Sequence, residues 1–156
     1  IVSRAVAKYI DFATHDGTFW LVDTFEGIPL DQASERERPL ATSKNNRHYY
    51  DCFADVRTHF ATYPNIHVVK GRVPDVLPEI GASSISYLHV DMNIAAPEVA
   101  ATAFFWDRMR TGGVIVFDDY GSTAHRPQKH ALDEFARSHK LQIFALPTGQ
   151  GLLFKS

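Results

Sequence analysis

The sequence predicts an α/β domain on a mostly parallel sheet that ends in a C-terminal antiparallel hairpin. Two patterns carry this. Short apolar runs rich in Val, Ile and aromatic residues stop at acids or turn residues, as strands covered on both faces do. Between them, apolar residues recur at i, i+3, i+4 and i+7, the repeat of a helix with one buried face. Strands alternating with helices are joined by right-handed crossovers, which makes them parallel.

Val2, Ala5, Val6, Tyr9 and Ile10 stripe one face of an opening helix, a face meant for a sheet. Asp16-Gly17 breaks it, and Thr18 to Val22 is the first strand, ending at Asp23. From Gly27 to about Arg47 the chain is polar and charged, and the stretch from Asp31 to Asn46 reads as a mobile lid or a solvated loop. Tyr49, Cys52, Phe53, Val56 and Phe60 follow helical spacing, and Ile66 to Val69 is a second strand. Ser86 to Val90 is a third. Pro97 suits a first helical turn, Val99, Ala103, Trp106 and Met109 mark that helix's buried face, and Gly112-Gly113 stops it. Val114 to Phe117 is the fourth strand. A helix around Ala131, Leu132, Phe135 and Ala136 leads to Leu141–Ala145, a turn, and Leu152–Phe154, which pair antiparallel across that short connection.

Composition narrows the function. At 156 residues and 45% hydrophobic, the chain has the size of one domain that buries a core unaided. The net charge of -2 balances 16 basic against 18 acidic residues with no long run of either, which disfavours nucleic acid and membrane as partners. One cysteine, Cys52, excludes an internal disulfide, and with no membrane-length apolar run or signal peptide a cytoplasmic location is expected. The opening residues read as a chain entered in mid-domain.

In a parallel sheet ligands gather beyond the carboxyl ends of the strands, so Asp23, Asp91 and the pair Asp118-Asp119 are the candidate chemistry. If the strands before Asp91 and Asp118 are neighbours, their carboxylates crowd, and a hard divalent ion relieves the repulsion, with Asn93 adding an oxygen. The competing reading is that Asp91 caps the next helix and Asp118-Asp119 forms a polar turn. Asp23 suits ribose hydroxyls or a simple turn. His89 lies within a strand, where a hydrogen-bonded core histidine is the commoner case. His125 follows the acidic strand end, and we expect solvent to reach it, as either a base or a surface histidine. There is no G-x-G-x-x-G or Walker loop.

Four segments in order, Leu21 to Pro29, Val69 to Asp75, His89 to Asn93 and Gly112 to Gly121, resemble the macrocin O-methyltransferase (TylF/MycF/NovP) family. The resemblance covers nearly the whole chain. It implies a Rossmann-like class I methyltransferase fold that uses S-adenosylmethionine to methylate a hydroxyl of a sugar or other small natural-product-like acceptor, with Mg²⁺ (or Mn²⁺) on Asp91, Asp118 and Asp119. It further implies that Asp23 takes the ribose of the donor, with Thr24 and Phe25 beside it and Gly71 and Arg72 near the adenine.

Two departures follow. The family's first strand and glycine loop, which precede the opening helix, are missing, so the sheet is incomplete at its N-terminus. Its two bare edges are expected either to close on each other or to recruit a strand from another copy, giving a homo-oligomer. Second, Asn93 stands where some relatives carry an aspartate proposed to take the substrate proton. A carboxamide is no base, so the metal alone acidifies the hydroxyl, or a histidine such as His125 serves, or the substrate differs. The alternative function is a non-catalytic remnant that keeps the fold as a binding or interaction domain.

Overall fold

The computed structural model describes residues 2–156. Five helices of eight residues or more and six strands follow in the order α1 (Val2–Tyr9), β1 (Phe19–Asp23), α2 (Arg38–His48), α3 (Phe53–Phe60), β2 (Ile66–Lys70), β3 (Ile85–Val90), α4 (Ala95–Trp106), β4 (Met109–Phe117), α5 (Arg126–Ser138), β5 (Phe144–Ala145) and β6 (Gly151–Phe154). β1 pairs parallel with β2, and β3 pairs parallel with β4. β6 runs antiparallel to both β4 and β5, so the predicted hairpin is present, and β6 inserts between β4 and β5. Its first half is shorter than expected, since Leu141–Ile143 precede β5.

The strands form two sheets, β1-β2 and β3-β4-β6-β5. The expected closure of β1 on β3 is not seen: among the described residues the two strands are not hydrogen-bonded to each other, and side chains of both sheets share one apolar cluster. Trp20, Val22 and Val69 from one, with Ile85 and Leu88 from the other, pack around Leu77, Ile80, Ala101 and Phe105. The larger core lies on the other sheet, where Ile115, Phe117, Leu132 and Leu153 are all at 1% exposure or less.

Three elements differ from their sequence reading. In α1 only Ala7 is buried; Val2, Tyr9 and Ile10 are exposed, so most of the predicted stripe faces no sheet. In α4 the buried positions are Pro97, Glu98, Ala101, Thr102, Phe105 and Trp106; of the predicted face Trp106 is buried and Val99 half-buried against the core, while Ala103 is exposed. Met109 is not helical: the helix ends at Trp106, and Met109 begins β4 opposite Ile85. Glycine pairs mark helix ends and strand irregularities alike, and here Gly113 sits where an added Cβ would meet Arg110 O at 2.9 Å and Ile85 O at 3.1 Å, inside the sheet.

The third difference is the expected lid, which contains a helix. Glu37 is buried, and its carboxylate accepts hydrogen bonds from Ser34 N–H (3.0 Å), Ser34 Oγ and Ala95 N–H (2.7 Å). That ties the start of α2 to the start of α4. Ala33 and Ala41 then pack with Ile28 and Ile94, the last fully buried. Few apolar atoms are needed when an acid secures the end of the helix and two alanines allow close approach. Tyr49 closes α2 and does not open α3.

Ile115 is fully buried at the centre of β4, between β3 and β6. Ile115→Ala is expected to lower the unfolding free energy by about 2–5 kcal/mol through lost transfer energy and a residual cavity. Urea unfolding followed by circular dichroism checks this.

Candidate active site

The pairing of β3 with β4 assembles the acidic end of the molecule. Val90 lies opposite Phe117 in the parallel register. The residues that follow, Asp91 and Asp118, therefore leave the sheet side by side, from backbones about 4.8 Å apart. Packing around Asp91, and then the charges of Asp118 and Asp119, raise its carboxyl above the usual range, although solvent still reaches it. Crowding of like charge is thus a feature of the fold.

Each carboxylate has its own internal partner. Asp91 Oδ1 accepts from Asn93 Nδ2 at 3.3 Å. Asp118 Oδ1 accepts from Gln150 Nε2 at 3.2 Å and lies 3.7 Å from His89 Nε2. Asp119 Oδ1 is 3.5 Å from His125 Nδ1, and its Oδ2 is 3.9 Å from Lys44 Nζ. The oxygens suit a hard cation in kind. Their arrangement does not: among the described residues no three His, Cys, Asp or Glu side chains are placed to hold an ion. The Mg²⁺ or Mn²⁺ set expected at Asp91, Asp118 and Asp119 is gathered at one sheet edge but not converged.

Asn93 is held at φ 63°, in the left-handed region that asparagine tolerates better than most residues. Its carboxamide is committed at both ends: the oxygen accepts from Lys44 Nζ, and the nitrogen donates to Asp91 and, at 3.3 Å, to Tyr49 Oη. Below this turn lies Glu98, 3% exposed, in the first turn of α4. Its Oε1 accepts from the N–H groups of Met92 (3.0 Å) and Asn93 (3.1 Å) and from Gln128 Nε2 (2.7 Å). Burial pushes its pKa up to about 7 against those hydrogen bonds.

His125 is not open to solvent as expected. It is 6% exposed, because a short helical turn over Thr123–His125 folds the ring inward, under α2. Its Nε2 is 3.2 Å from Lys44 Nζ, and its Nδ1 is 3.0 Å from Ser122 Oγ. Burial lowers its pKa; Asp119 opposes that and Lys44 reinforces it.

The predicted donor residues gather at the ends of β1 and β2. Asp23 Oδ1 accepts from Phe25 N–H at 2.8 Å, and Asp23 O accepts from Gly71 N–H at 3.0 Å. Thr24 Oγ1 donates to Gly27 O at 2.6 Å, while Phe25, at φ 57°, is buried against Phe53. Arg72 is paired with Asp31 at 2.6 Å. Tyr49 stands between the two clusters: burial, then the charges of Asp91, Asp23 and Asp119, raise its hydroxyl pKa.

Lys44, Glu98, Tyr49 and Ser122 did not emerge from the sequence. Two signals were there: Ser34-x-x-Glu37 is a capping-box pattern that announces α2 and so Lys44, and Glu98 is an acid on an otherwise apolar helical stripe.

The family model described as macrocin-O-methyltransferase (TylF) matches residues 3–145. A demethyldecarbamoylnovobiocin O-methyltransferase of Streptomyces niveus is 24% identical over 141 residues, 86% of this chain and 52% of the relative. An 8-demethyl-8-(2,3-dimethoxy-alpha-L-rhamnosyl)-tetracenomycin-C 4'-O-methyltransferase of Streptomyces olivaceus is 24% identical over 117 residues, 71% of this chain and 45% of that one. The solved structure of the O-methyltransferase NovP superposes with a TM-score of 0.81 at 20% identity, covering 99% of this chain and 65% of that chain, which establishes the fold. The chain thus spans about half the length of the curated relatives it matches.

Glu98 tests the acidic end. Its raised folded pKa means the protonated form is favoured in the native state, so its contribution to stability is full below about 4.5 and is lost as the pH rises to about 7. Relative to wild type, Glu98→Gln should therefore gain stability progressively as the pH rises from about 4.5 to about 7, on the order of 3 kcal/mol in all, and keep that gain above it. Unfolding of both proteins across that range checks it; a difference that is independent of pH would contradict the assigned burial.

Proposed function

This chain belongs to the macrocin-O-methyltransferase (TylF) family, and from that premise we propose that the protein methylates a hydroxyl of a sugar-bearing small molecule with S-adenosylmethionine as donor. One observation carries the reading. Two parallel strand pairs bring Asp23 on one side, and Asp91 and Asp119 on the other, within electrostatic reach of a single residue, Tyr49. A crevice between carboxyl ends of strands is where such sheets bind ligands. The relatives' names supply the acceptor class, one of them specifying a rhamnosyl group and a 4'-oxygen.

S-adenosylmethionine supplies, when bound, a methyl group on a positively charged sulfur. Asp23 fits its ribose: Oδ1 is held by Phe25 N–H, which fixes the carboxylate at the strand end and leaves Oδ2 for a hydroxyl donor. Thr24, Phe25, Gly71 and Arg72 belong to the same pair of strand ends and line that side. On the acceptor side Asn93 orients: its carboxamide bridges Lys44 and Asp91 and is not basic enough to take a proton. His125 is the base in this reading. Burial keeps its imidazole neutral, Ser122 and Asp119 face Nδ1, and Nε2 is left with the lone pair that takes the hydroxyl proton once Lys44 moves aside. Asp91, Asp118 and Asp119 remain the oxygen donors for Mg²⁺ or Mn²⁺, a role that requires their side chains to turn away from their present partners toward one another.

The test is calorimetric titration of the protein with S-adenosylmethionine. Asp23→Ala is expected to weaken binding roughly tenfold or more, from the loss of charge-assisted hydrogen bonds worth about 1.5–3 kcal/mol, while His125→Ala leaves donor affinity within about twofold. Absence of heat with wild-type protein would remove the donor from the reading and leave a binding domain.

A further inference from the structure

The acidic cluster carries its own cation. Around Asp91, Asp118 and Asp119 stand the buried Glu98, two histidines, His89 and His125, and one lysine, Lys44. Lys44 lies on α2, is 24% exposed at its side chain, and reaches residues from three other segments: Asn93 beyond β3, Asp119 beyond β4 and His125 before α5. A lysine chain loses considerable rotamer freedom when it is held by such contacts, so the charge it meets must repay that loss. It also links the site to α2, the element that Glu37, Ala33 and Ala41 pin to the start of α4.

We propose that Lys44 is the resident counter-cation of the acidic cluster, and that its ammonium and a divalent cation are mutually exclusive occupants, so that a metal ion binds only by displacing Lys44 and releasing its hold on α2. Three observations support this. The carboxylates are individually engaged and not converged. Asp119, which a metal would recruit, is one of the groups facing Lys44. A doubly charged ion among these carboxylates would stand within a few ångströms of the ammonium, where like charges repel strongly at the reduced dielectric of a half-buried site. The inference rests on the site geometry and on the carboxylates as oxygen donors, not on methyl transfer itself.

Mn²⁺ alone is the probe, titrated into the full protein and followed by the electron paramagnetic resonance of free Mn²⁺. Lys44→Met, which keeps the length of the side chain and removes its charge, should bind Mn²⁺ at least tenfold more tightly than wild type, and Lys44→Arg should not. A general loosening of the fold would weaken binding, so a gain reports the lost positive charge, and the exchange of α2 reports whether Lys44 is displaced. In wild-type protein, saturating Mn²⁺ should speed amide exchange across residues 38–48 at least fivefold, a measurement independent of how either variant folds. Equal or weaker Mn²⁺ binding by Lys44→Met, no Mn²⁺ binding by any of the three proteins, or unchanged exchange in α2 each overturns the proposal. Calorimetry with S-adenosylmethionine in metal-free buffer reports separately on the methyl-donor reading.

Discussion

The constraint on which the rest depends is the parallel pairing of β3 with β4, which delivers Asp91 and Asp118 to the same sheet edge at one strand spacing. Adjacent like charges at a partly desolvated edge are unfavourable unless each finds an opposite charge, a hydrogen-bond donor or a proton. The surrounding structure supplies these from every direction. Gln150 comes from the β5-β6 turn, His89 from within β3, Lys44 from α2, and Asn93 from the loop itself. Elements far apart in the sequence are thereby drawn to one place.

Glu98 has a less obvious part in this. An additional buried acid beside three carboxylates looks counterproductive, and its raised pKa registers the cost. What it provides is a fixed acceptor for two consecutive backbone N–H groups in a turn whose second residue has a positive φ. Those donors would otherwise be buried without partners. The turn in turn sets where Asp91 and Asn93 point, so a carboxylate that touches no candidate ligand governs the geometry of those that do. Glu37 acts in the same manner on α2, accepting from Ala95 N–H at 2.7 Å and so relating Lys44 to the loop it faces.

The division of the strands into two sheets has a functional side. Because β1 and β3 are joined by side chains and not by a hydrogen-bonded ladder, the spacing between the donor-side residues and the acidic cluster is set by packing of Trp20, Val22, Ile85 and Leu88 around Ala101 and Phe105. Tyr49 spans the interval electrostatically. Apolar packing is less directional than a ladder, so this spacing is the part of the site most responsive to what lies between the two sheets.

The sequence by itself determined the succession of elements, the acids at strand ends and the resemblance to one family, because these are local: a period, a run of β-branched residues and a short motif can each be seen without knowing what they touch. Asp23, Asp91, Asp118 and Asp119 were legible for that reason, as was the antiparallel ending. What only the tertiary structure decided is which partner each group meets. The polar stretch before Arg47 carried little hydrophobic periodicity and read as a loop, whereas a buried Glu37 and the contacts of Ala33 and Ala41 make its second half the helix that carries Lys44. His125 read as solvent-facing until a short helical turn folded it inward, and the stripe on α1 promised a buried face, whereas the residue buried there, Ala7, lies off that stripe. Burial and pairing depend on contacts between residues tens of positions apart, 81 in the case of Lys44 and His125, and no local pattern encodes them.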